Sequence, residues 1–168
     1  MSKRLPDLIE PSQAARNGQQ YRLAIAQSRF PRLMEMLQDD GAREVDVALD
    51  FFEEPETGYP AFTLTLKTPL SLQCQRTLEA YDEPVDETYT AVVVNDEAEA
   101  KLVPEQYDTW LLEAPKLNPW QMIEDELLLA IPQVPRKPGE PLVWLDGDAA
   151  AEAEENPFAA LKDLMKKH

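Results

Sequence analysis

Between residues 44 and 95, apolar side chains fall at every second position in run after run. Glu44 to Phe52 puts Val45, Val47, Leu49 and Phe51 on one side. Ala61 to Lys67 does the same with Phe62, Leu64 and Leu66, and Leu70, Leu72 and Cys74 continue the alternation beyond Pro69. Glu87 to Asn95 separates Thr88, Thr90, Val92 and Val94 from Tyr89, Ala91 and Val93. A period of two marks strands with two different faces. Residues 53–60, with Gly58, read as a loop. Pro69 marks an edge, a bulge or a strand start. Strands in succession with short connections favour antiparallel pairing.

Helical patterns flank this block. Leu5 to Ile9 reads as a short strand or extended segment, and Ser12 to Gln20 as a turn of helix. Tyr21 to Ala26 alternates again, with Tyr21, Leu23 and Ile25 on one face. Arg29 to Gln38 carries Phe30, Leu33, Met34 and Leu37 on one helical stripe, with Pro31 suited to a first turn, and Asp39-Asp40-Gly41 ends it. Asp96 to Gln106 is acidic and loop-like, and Tyr107 to Leu112 adds a short strand. Asn118-Pro119 opens a second helix: Asn caps free N–H groups and Pro fits the first helical position. Trp120, Ile123, Leu127, Leu128 and Ile131 share its core face, Glu124, Asp125 and Glu126 read as a solvated face, and Pro132 stops it. The fold class is α+β, an antiparallel β-sheet flanked by two or three helices.

Composition divides the chain. Residues 1–145 read as a single domain, whose end (132–141) holds four prolines and is expected to be extended. Residues 146–155 carry five acids and no base, so a disordered acidic linker is expected. Residues 156–168 form a C-terminal amphipathic helix: Asn156 caps, Pro157 follows, and Phe158, Leu161, Leu164 and Met165 share one side. So short a helix is not stable alone in water, so its stripe needs a surface. That surface is either its own domain or a partner's groove.

The formal charge is −16, from 16 basic and 32 acidic residues. It is unevenly placed. Residues 1–32 hold six basic residues against Asp7 and Glu10, a net of +4, and the remainder holds ten basic against thirty acidic, a net of −20. Such a field repels phosphate backbones and speeds encounter with cationic partners. Only the N-terminal arm, with Arg16, Arg22, Arg29 and Arg32, could replace counterions on a nucleic acid.

Catalytic patterns are missing. The single histidine is His168 at the C-terminus, and none of the five glycines stands in a phosphate-cradling motif. Asp82, Glu83, Asp86 and Glu87 read as a solvated acidic turn. Cys74 alone excludes an intrachain disulfide and suits a reducing compartment. The start, Met1 to Pro6, has no apolar stretch behind its charges, and Leu127 to Ile131 is far too short to cross a bilayer. We therefore expect a cytoplasmic protein that is not an enzyme, has no cofactor or metal, and binds neither membrane nor DNA.

Three stretches carry a resemblance: Leu72-Gln-Cys-Gln-Arg76, Asp125-Glu-Leu-Leu-Leu-Ala-Ile-Pro132 and Asn156-Pro-Phe-Ala-Ala-Leu-Lys-Asp-Leu164. In this order and spacing they resemble the bacterial YceD family, the large ribosomal RNA subunit accumulation proteins. The resemblance implies a role in the synthesis, processing or stability of that RNA and in ribosome biogenesis, with no catalytic residues to carry over. Family genes commonly neighbour the gene of a small, basic zinc-ribbon protein of the large subunit. Joined to the acidic body, this implies a basic ribosomal protein or ribosome assembly factor as partner. Asn156, Pro157, Phe158, Leu161 and Leu164, with Glu124, Asp125 and Glu126, are the candidate contacts. The alternative is precursor rRNA held by Arg16, Arg22, Arg29 and Arg32. Relatives also carry a second Cys three positions after the first and a further Cys/His set downstream, which together look like a zinc site. Here Thr77 replaces that second Cys and residues 132–147 contain neither Cys nor His.

Overall fold

The computed structural model describes residues 4–139. The chain divides after Lys137, and the first unit, Met1–Lys137, is the one described below. The acidic linker expected at 146–155 and the helix expected at 156–168 lie outside the described residues, as does the end of the 1–145 domain.

Five strands form one sheet in sequence order: β1 (Gln20–Ala26), β2 (Glu44–Glu53), β3 (Pro60–Gln73), β4 (Ala80–Val94) and β5 (Asp108–Leu111). The first three pairings are antiparallel, as the alternation predicts. The fourth corrects the expectation of a wholly antiparallel sheet, because β5 runs parallel to β4. A parallel neighbour needs a crossover of about a dozen residues, and residues 95–107 supply one.

Among the described residues the α-helices are α1 (Pro11–Arg16), α2 (Pro31–Met34), α3 (Glu97–Ala100) and α4 (Pro119–Leu129), with a 3-10 turn at Gln27–Arg29. Two or three were expected. The additional one, α3, is a single turn inside the crossover, where the Asp96 carboxylate accepts from the Glu99 N–H at 2.8 Å. The α2 helix is shorter than the 29–38 stripe implies. Phe30 is extended (φ −112°), since a residue before proline is pushed out of the helical region. Beyond Met34 the chain turns toward the sheet, and the Gln38 N–H donates to the Ser71 carbonyl at 2.8 Å. Gly41, at φ +66°, closes this segment, and a side chain there would run into Met34.

The β3–β4 hairpin is longer than the sequence reading. Pairing continues from Ala61↔Val92 to Gln73↔Ala80, so Asp82, Glu83, Asp86 and Glu87 lie on a strand rather than in a turn. Asp82 meets Arg43 at 2.7 Å and Asp86 meets Lys67 at 3.2 Å. The hairpin tolerates Pro69 opposite Pro84 because β2 pairs with β3 only as far as Lys67. Past that point β3 is an edge, where proline costs no ladder bond. The Pro69 carbonyl faces outward and accepts from the buried Gln27 side-chain amide at 2.8 Å.

One face of the sheet carries the core: Val45, Val47, Leu49 and Phe51 with Phe62, Leu64, Leu66, Leu70 and Leu72, against Phe30, Leu33, Met122, Ile123 and Leu127. Phe62 is its aromatic hub, with ring centroids 6.2 Å from Phe51, 6.0 Å from Tyr89 and 5.9 Å from Trp110. Its tilted and edge-on neighbours are the arrangements that aromatic quadrupoles favour. The opposite face is polar over much of its width, with Thr63–Thr90 and Thr65–Thr88 hydroxyl pairs at 3.0 and 3.1 Å.

Candidate partner-binding groove

Asn118 starts α4 as its sequence predicts, its side-chain oxygen accepting from the N–H groups of Trp120 and Gln121. The loop before it is tied down where Ile9 and Leu117 exchange backbone hydrogen bonds at 2.8 and 2.7 Å. These two constraints hold α4 beside β5 with a cleft between. The cleft has a volume of about 290 Å³, and its walls include Leu8, Trp110, Leu112, Met122, Glu113 and Asp125. One cation, Lys116, also lines it. Leu8 and Leu111 stand 54% and 51% exposed at its mouth, more than half open to water.

The three acids of α4 have different fates. Glu124, expected on a solvated face, is buried. Its carboxylate accepts from the Arg32 N–H at 2.7 Å, the Arg32 guanidinium at 3.0 Å and the Leu33 N–H at 3.4 Å. It therefore satisfies the otherwise free first turn of α2, and sequence periodicity along α4 gives no hint of that long-range partner. Asp125 shares Arg32, at 2.6 Å, while lining the groove. Glu126 has no ion-pair partner among the described residues. Burial, then the charges of Asp125 and Asp108, raises its pKa above the ordinary carboxylate value. Glu126 and Asp108 also help to push Tyr89, mainly raised by burial, up to about 12. Asp108, on β5, was not singled out by sequence reading. Only the parallel strand brings it to Glu126.

The four arginines of the N-terminal arm are not gathered together. Arg22 makes a two-pronged contact to Asp50 at 2.8 Å on both oxygens, and Arg16 lies 3.9 Å from Glu53. Arg32 is held by α4, and Arg29 stacks over Trp120, 5.2 Å from the ring centre. Each already has an acidic or aromatic partner. The remaining candidate contacts, Asn156, Pro157, Phe158, Leu161 and Leu164, lie outside the described residues.

Cys74 stands at the head of the β3–β4 turn, buried. Hydrogen bonding from the Thr77 side chain, followed by the N–H groups of Lys137, Thr77 and Arg76, lowers its thiol to about 6. Thr77 thus donates to the sulfur at the position where a C-x₂-C pair would have its second ligand. Among the described residues no group of three or more His, Cys, Asp or Glu side chains is placed to hold a metal. The donor set here does not fit zinc, which wants four N or S ligands.

The described chain is thus a small mixed-sheet α+β domain with a cleft between β5 and α4 that mixes apolar side chains with the carboxylates of Glu113 and Asp125. A family model described as large ribosomal RNA subunit accumulation protein YceD matches residues 62–165, well over half of the sequence. The chain belongs to the YceD family. The match runs from within β3 through α4 and takes in every named groove residue except Leu8. The family name ties the chain to accumulation of large-subunit ribosomal RNA, consistent with a role in ribosome biogenesis. No solved structure matches it, and no helix among the described residues is long and apolar enough to cross a membrane.

Proposed function

We propose that this protein supports accumulation of large-subunit ribosomal RNA from the cytoplasm without performing chemistry, by binding a basic ribosomal protein or assembly factor in the groove between β5 and α4. The observation that carries this reading is the gathering of Asp108 and Asp125 about Glu126, beside a cleft whose walls include Trp110 and Leu112. Burial, then the neighbouring charges of Asp125 and Asp108, disfavours ionisation of Glu126, and a Lys or Arg brought beside it relieves that penalty. The same side chain has an aliphatic stem that covers Trp110 and Leu112 while its charged end reaches the rim. Complementary charge of this kind sets encounter rate and partner choice. Segment 156–165 serves as a second, tethered contact in this reading.

The arginine-mediated RNA reading is less well supported, because Arg16, Arg22, Arg29 and Arg32 would each have to leave a partner. The test is binding of the full chain to basic large-subunit ribosomal proteins and to a naked precursor rRNA fragment, at low and high salt. We expect at least one basic protein to bind, with affinity that falls as salt rises. The triple variant Asp108→Asn, Asp125→Asn, Glu126→Gln should weaken it by about ten-fold. Tight RNA retention without protein binding, or protein binding indifferent to both salt and the triple variant, overturns the proposal.

A further inference from the structure

We propose that the outer edge of β5 receives an extended segment of the cationic partner as a sixth strand, an inference that rests on the groove reading above and specifies its geometry. The Leu112 N–H donates to the Val94 carbonyl at 2.8 Å, so the even-numbered residues here point their backbone polar groups at β4. Backbone groups alternate along a strand. Those of Thr109 and Leu111 therefore point away from the sheet, and β5 is the last strand in the order. Such an edge is a template for another chain.

Most edges are protected by charge, by brevity or by a covering element. This one is short, pairing over Asp108–Leu111, about 13 Å at ~3.3 Å per residue. It is not covered among the described residues, because the groove runs alongside it and Leu8 and Leu111 remain exposed. Asp108 and Trp110 point to the same side of the sheet as the core, where α4 presents Asp125 and Glu126. A strand added here alternates its own side chains between that side and the open face. Every second residue then meets Trp110 with its stem and the carboxylates with its tip. That pattern selects an extended segment with Lys or Arg at alternate positions.

The probe is a synthetic peptide of alternating lysine and valine, compared with a version N-methylated at every second backbone amide. Methylation keeps the charge and removes the donors that strand addition needs, and the protein itself is left unaltered. We expect the plain peptide to slow hydrogen exchange at the Thr109 and Leu111 amides of the full-length protein. We expect the methylated peptide to bind about ten-fold more weakly, the loss of one or two backbone hydrogen bonds. Equal binding of both peptides, sensitive to the carboxylate triple variant, overturns strand addition and keeps the groove. Absence of binding by either peptide counts against both. If the two amides are already protected in free protein, the edge is occupied by a second copy or by the chain itself, and the proposal fails.

Discussion

The turn joining β2 to β3 and the turn joining β3 to β4 share one backbone design built round two different acceptors. In the first, the Glu54 N–H donates to the Tyr59 carbonyl at 2.8 Å and the Gly58 N–H to the Glu54 carbonyl at 2.8 Å. In the second, Cys74 bonds to Glu79 at 2.9 Å and Leu78 to Cys74 at 2.8 Å in the same pattern. Thr57 and Thr77 occupy equivalent places, each accepting from an N–H two residues on. The Glu54 carboxylate collects the N–H groups of Glu56 and Thr57 and the Thr57 hydroxyl. The Cys74 sulfur collects the equivalent donors from Arg76 and Thr77, and the Lys137 N–H at 3.4 Å besides. The comparison explains why a buried thiol is driven toward thiolate: it sits where the sister turn has a carboxylate. Thr77 serves as a donor to that sulfur.

The largest test of this equivalence is Glu54→Ala. It takes the acceptor from two N–H groups and a hydroxyl in a partly buried turn, and donors left without a partner are costly. We expect a fall of roughly 5 °C in melting temperature. Glu54 is held below the ordinary carboxylate pKa by the Thr57 hydroxyl first, outweighing burial. The unfolded chain takes up that proton more readily, so this part of the stability is present above the unfolded value and lost as pH falls through the folded one. The variant should lose that acid-side slope. An unchanged melting curve from acid to neutral pH breaks the comparison.

A smaller, reciprocal effect comes from the fourth residue after each acceptor. Gly58 has φ +70° and Leu78 has φ +61°. The left-handed region costs an L-residue about 1–2 kcal/mol and glycine almost nothing. Nothing lies within 4 Å of a Cβ placed at Gly58, so Gly58→Ala isolates the backbone term and should cost about 1 kcal/mol. Leu78 is 68% exposed, so Leu78→Gly forfeits little burial and should gain up to about 1 kcal/mol. Chemical denaturation of both variants checks the pair, and shifts of the same sign refute a common turn.

Much of this fold is legible in the sequence because strand alternation and helix capping are local. Val45 to Phe51, Phe62 to Cys74 and Asn118-Pro119 state their structures within a few residues. The twin turns also leave a trace, an acceptor followed three positions later by threonine, in Glu54-Pro-Glu-Thr57 and Cys74-Gln-Arg-Thr77. That trace is readable only once both turns are known to bond alike. The candidate site is less legible because its parts meet across the fold. Asp108 reaches Glu126 only through a parallel crossover, and Glu124 looks solvated until α2 arrives with Arg32. Charge counts share this weakness. The net +4 of residues 1–32 implies an available cationic arm, whereas Arg16, Arg22 and Arg32 are set against acids of the same domain.

The finest test is Thr77→Val, which removes one donor to the Cys74 sulfur and the acceptor of the Glu79 N–H. The native thiol titrates at about 6, against an ordinary 9.0, with the Thr77 hydroxyl as the first cause. Between those values the unfolded chain keeps a proton that the folded chain has released, so folding stability rises with pH across that interval. The contribution is fully present above 9.0 and is lost as pH falls through about 6, whereas the Glu54 contribution disappears only at more acidic pH. Thr77→Val should move the thiol midpoint back toward 9.0, since a donor to the charged form has gone. The Arg76, Thr77 and Lys137 N–H groups remain, so the midpoint should stop short of that value, with a melting-temperature change of about 2 °C or less. Ultraviolet titration of thiolate absorbance reads the shift directly. A native midpoint near 9.0, or one that Thr77→Val leaves in place, would mean that the sulfur does not play the part of the Glu54 carboxylate.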